Sequence, residues 1–73
     1  MEFTLSQKID SAYATLLEVQ RLTDAGDGDA ALAVLATMPE FTEAEKYADG
    51  GRALALLGNV LGIRMAARAV RCG

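Results

Sequence analysis

With 73 residues the chain has room for one small domain and none for a cofactor fold beside a substrate domain. It has no histidine and one cysteine, Cys72, which excludes an internal disulfide, Ser-His and Cys-His nucleophile pairs, the usual zinc sites and imidazole acid/base chemistry. The net charge of −3 and an isoelectric point near 4.7 argue against nucleic acid as the main target, while 52% apolar residues is a high share for a domain that buries only about 60% of its unfolded surface.

Alanine and leucine dominate, and valine, isoleucine and proline are scarce. That is helix composition, so the expected fold is all-α: a small antiparallel bundle or hairpin of two or three helices, completed by dimerisation. The first helix is predicted over residues 5–23. Thr4 and Gln7 have the spacing of a capping box, in which the threonine oxygen takes an orphan amide and the glutamine reaches back. Leu5, Ile9, Ala12, Tyr13, Leu16, Leu17 and Val19 form its apolar stripe, opposite Asp10, Ser11, Glu18 and Arg21.

Glycines and aspartates from Asp24 to Asp29 break this helix, since Gly26 and Gly28 permit left-handed backbone and the aspartates suit turns and caps. The run lacks the alternating ligands and the twelfth-position glutamate of a calcium loop, so no metal is implied. A second, short helix is predicted over 29–38, burying Ala31, Val34, Leu35 and Met38 and ended by Pro39. The stretch from Ala25 to Leu32 resembles the turn between paired helices in tetratricopeptide-type repeats, which implies a helical hairpin here. No second copy recurs at that family's repeat period of about 34 residues.

Thr42 and Glu45 repeat the capping box, so a third helix is predicted over 43–71. Gly50 and Gly51 together cost about 2 kcal/mol of helix stability, and a kink or break at 49–51 competes evenly with a continuous rod. Beyond them, Gly51, Ala55, Gly58, Gly62, Ala66 and Ala69 align in a stripe of small residues. Leu54, Leu57, Leu61 and Met65 flank one side of it and Leu56, Val60, Ile63 and Val70 the other. Asn59 is the only polar side chain between Ala53 and Ile63. A helix apolar on nearly every side must be covered on nearly every side, more than two short companions can do. The expected partner or dimer interface is therefore Leu54, Leu57, Gly58, Leu61, Gly62, Met65 and Ala66. Close packing of the glycines against the chain's own helices is the competing reading. The apolar run ends at Arg64, short of the roughly 20 residues a membrane span needs, so no transmembrane segment is expected.

Residues 1–49 carry ten acidic and three basic side chains, net −7, whereas residues 50–73 carry four arginines and no acid, net +4. Arg64, Arg68 and Arg71 share one arc and form a candidate electrostatic patch, although cations near a helix C-terminus also simply suit its dipole. Only four aromatics are present, Phe3, Tyr13, Phe41 and Tyr47, and none lies among the arginines as a nucleic-acid binder would want. Catalysis and cofactors are not expected. Non-catalytic protein binding is, by a small regulator, adaptor or inhibitor that forms a homodimer and packs helices on a partner of unspecified identity. The alternatives are a nucleic-acid or membrane-surface accessory using the arginines, and a structural subunit of a larger assembly. An N-terminus without a basic and apolar leader, and the lack of paired cysteines, make the cytoplasm the expected compartment.

Overall fold

A computed structural model describes residues 4–70, and over that span every regular element is helical. Helix α1, Leu5–Asp24, begins at the expected capping box: Thr4 Oγ1 accepts the Gln7 amide at 3.2 Å, and Gln7 Oε1 accepts the Thr4 amide at 3.0 Å. It ends in a Schellman motif. The Gly26 N–H donates to the Thr23 carbonyl and the Asp27 N–H to the Leu22 carbonyl, with Gly26 at φ +82°, where a side chain would be strained. Asp27 then serves the next helix as well, because its carboxylate accepts the Ala30 amide at 3.2 Å. One residue thus closes α1 and opens α2, and the three-residue connection makes the two helices antiparallel neighbours.

Helix α2, Gly28–Leu35, starts one residue before the predicted point and ends three earlier. Gly28 is helical and buried, so Gly26 alone supplies the left-handed turn. After Leu35 the backbone tightens to three-residue hydrogen bonds, Thr37 N–H to Val34 and Met38 N–H to Leu35, and the Thr37 hydroxyl also donates to the Val34 carbonyl at 2.7 Å. The threonine competes for carbonyls that a further α-turn would use, and Pro39 has no amide to continue it.

The predicted third helix is broken. A single exposed turn and a half, α3 (Glu43–Tyr47), carries the Thr42–Glu45 capping box. Next comes a tight 3₁₀-type turn, Ala48–Gly50, closed by Gly51 N–H donating to Ala48. Its two central residues, Asp49 and Gly50, both have positive φ, +54° and +71°. That is the type I′ arrangement that the Asp-Gly dipeptide favours. Gly51 stays left-handed at φ +80°, and helix α4, Arg52–Ala69, starts from it with no side-chain cap. The end of the predicted helix at residue 71 lies outside the described residues.

Each of α1, α2 and α4 packs against the other two, and α3 sits against α4. The core between them takes Ile9, Ala12, Leu16 and Val19 from α1, Ala31 and Leu35 from α2, and Ala53, Leu56, Val60 and Ala67 from α4, with Phe41 closing one end. Each fully buried Leu or Ile contributes about 1.5–3 kcal/mol of hydrophobic stabilisation. Lys8 ties the ends together. Its ammonium bonds Glu45 at 2.9 Å and lies 5.0 Å from the centre of the Phe41 ring, fastening the start of α1 to α3. From that anchor, α4 runs back along α1 and α2. The architecture is all-α, with four helical segments in place of the two or three expected.

Candidate functional site

Helix α4 is apolar on both its inner and its outer face. The inner arc of Ala53, Leu56, Val60 and Ala67 is buried, and the outer arc is left open. Leu54, Leu61 and Met65 are 43%, 59% and 71% exposed, and Gly58, Gly62 and Ala66 are exposed between and beside them. Leu57 differs from the other six predicted interface residues in being half-buried, packed on the core toward the 36–41 segment. A β-carbon built on Gly58 or Gly62 would meet nothing within 4 Å. The glycines therefore do not make room for the chain's own helices, which removes close packing within the molecule as the reason for the stripe.

Two residues assigned to the α1 core from sequence belong to this surface instead. Tyr13 is 41% and Leu17 66% exposed, because α2 and α4 cover the arc through Ile9, Ala12, Leu16 and Val19. One member of each adjacent pair, Ala12–Tyr13 and Leu16–Leu17, then turns outward by about 100°. The pairs themselves were the available signal, since a single stripe cannot bury both neighbours. Between α1 and α4 lies an open cleft of about 500 Å³ whose walls include Tyr13, Leu17, Gln20 and Asp24 on one side and Asn59, Ile63 and Ala66 on the other. The stripe of Gly58, Gly62 and Ala66 is continuous with it.

Of the predicted electrostatic patch, Arg64 and Arg68 lie among the described residues, one turn apart on α4. Arg64 is half-buried and lines a second cleft, about 420 Å³, with Leu35, Met38, Phe41 and Lys46, while Arg68 is exposed one turn farther along. Arg71 lies outside the described residues, as does Cys72. Neither Arg64 nor Arg68 has an acidic partner within 4.0 Å among the described residues. The ion pairs there are Lys8–Glu45, Arg21–Glu18, Lys46–Glu43 and Arg52–Asp49.

Among the described residues the shifted titrations are those of Glu18, Arg21, Glu45 and Lys46. The Glu45 carboxyl sits below its ordinary value because the Thr42 amide and then the Lys8 ammonium bond its charged form, and Glu18 is lowered by its hydrogen bond to Arg21. Lys46 is raised by Glu43. All are paired surface groups. Among the described residues no three or more acidic, histidine or cysteine side chains stand together as a metal site, and Asp27 is engaged as a helix cap. No described helix is long and apolar enough to cross a membrane.

No family model matches the chain, and no curated protein or solved structure matches it.

Proposed function

We propose that the chain is a non-catalytic protein-binding module, a small cytoplasmic regulator, adaptor or inhibitor that works by laying the outer face of α4 against another helix. The observation that carries this reading is the open apolar arc on α4, whose large side chains Leu61 and Met65 are 59% and 71% exposed beside glycines with nothing above them. Protruding apolar side chains next to a glycine groove are what two closely approaching helices need: anchors for affinity and a gap for the facing backbone. Tyr13 and Leu17 extend the surface across the cleft, so the binding area is built from two helices. The sequence has no histidine to serve imidazole acid/base chemistry, and among the described residues the shifted titratable groups are ion-paired ones.

A photo-reactive residue placed at Leu61 or at Met65 in the native host tests this, with one at Ala14, exposed on the far side of α1, as control. Protein adducts from the α4 sites and none from Ala14 are expected. No adduct at either α4 site, or equal labelling from Ala14, would refute the reading. A second reading, electrostatic docking on nucleic acid or a membrane surface, draws on Arg64 and Arg68, which have no ion-pair partner among the described residues. It requires that changing Arg64, Arg68 and Arg71 to glutamine abolish binding, and that affinity fall steeply with salt. Helix packing requires that neither happen.

A further inference from the structure

We infer that the chain covering α4 is a second copy of this protein, with the two α4 helices running parallel about a two-fold axis that lies along the glycine stripe. The inference rests on the protein-binding reading and specifies its partner and geometry. It comes from the order of features across the surface. On the α1 side lies the cleft with Asp24 on its far wall, then the stripe of Gly58, Gly62 and Ala66, then the ridge of Leu61 and Met65, then Arg68 at the opposite edge. Hollow and acid are on one side; ridge and base are on the other.

A two-fold axis along the helices lays left over right. The Leu61–Met65 ridge of each copy then enters the stripe and cleft of the other, the self-complementary arrangement that an isologous interface demands. An axis across the helices would lay ridge on ridge and hollow on hollow. Charge selects the same solution. Asp24 and Ala66 line one cleft, and Arg68 lies only about 3 Å farther along the axis than Ala66, so the acid and the base sit at the same end of the molecule. Parallel packing carries Arg68 of each copy to Asp24 of the other, giving two symmetric ion pairs. Within one chain neither side chain has an ion-pair partner among the described residues.

Sedimentation equilibrium on the purified full chain should give twice the single-chain mass at micromolar concentration. Arg68→Glu and Asp24→Arg, both at exposed positions, should each weaken the dimer about tenfold, and combining them should restore it. In a Cys72→Ser background under mild oxidation, Gly58→Cys and Ala69→Cys, within about 20° of each other around α4, should each cross-link to its own kind. Antiparallel packing would instead join only one to the other, the two positions being about 16 Å apart along the helix. A single-chain mass overturns the second copy. A dimer that cross-links only as the mixed pair, or whose charge reversals fail to rescue each other, overturns the parallel arrangement. None of these results touches the protein-binding reading, which fails separately if Leu61 and Met65 give no adduct in the host.

Discussion

Gly58, Gly62 and Gly50 all have open space where a β-carbon would go, yet the same substitution should act in opposite directions at them. Gly58 and Gly62 lie inside α4 with helical backbone, so alanine there removes the entropic cost of glycine and meets no neighbour. Each change should stabilise the monomer by about 0.8–1.0 kcal/mol, and the double variant by about 2 kcal/mol. For a domain of this size that is a rise of roughly 8–16 °C in melting temperature. Gly50 sits at φ +71°, where an L side chain crowds its own carbonyl, so Gly50→Ala should cost about 1 kcal/mol although nothing surrounds it. Urea unfolding followed by circular dichroism, on chains dilute enough to be monomeric, measures all three. If the proposed dimer forms, raising the concentration should then erode the gain at Gly62, because the added methyl would hold its two α4 backbones apart. A loss of stability for Gly58→Ala or Gly62→Ala in dilute solution would mean the chain's own helices cover that face.

Two leucines five residues apart make a second contrast. Leu56→Ala removes a fully buried side chain and should cost about 2–5 kcal/mol, a large part of the roughly 4–11 kcal/mol expected for 73 residues, whereas Leu61→Ala on the outer face should change monomer stability by less than about 0.5 kcal/mol. Equal costs in denaturant unfolding would contradict the inward and outward assignment of α4. Thr42→Ala removes half of a capping box and should cost about 1 kcal/mol, read as a drop in midpoint with an unchanged slope. The lowered Glu45 value makes stability pH-dependent. The folded state favours the carboxylate, so its contribution is complete above the ordinary carboxylate range and disappears as pH falls through the lower folded value. Melting temperature should therefore decline on the acid side, and Glu45→Gln should flatten that decline. An identical acid slope in the variant would show that the Glu45 carboxylate, bonded by the Thr42 amide and by Lys8, carries none of it.

Features that depend on a few consecutive residues could be read from the chain alone. Both capping boxes, at Thr4 with Gln7 and at Thr42 with Glu45, close within one turn and use no distant partner. Pro39 and the Gly26 turn likewise act locally. As poor helix formers alone, Gly50 and Gly51 leave a break at 49–51 level with a continuous helix. Asp49-Gly50 is a type I′ turn signal in its own right, and it decides for the break. The end of α2 was misplaced because the Thr37 hydroxyl's bond to Val34 competes with a helix that periodicity alone would extend. The open apolar face was legible as an excess: the pattern of α4 had more apolar arc than two companions could cover. Its orientation was not. Periodicity sets the angle between Leu56 and Leu61, or between Leu16 and Leu17, but leaves the helix free to rotate about its own axis. Rotation is chosen by where neighbouring helices lie, and here α2 and α1 meet α4 along Ala53, Leu56, Val60 and Ala67. That packing turned Leu61, Met65, Tyr13 and Leu17 outward and made one continuous surface from two helices.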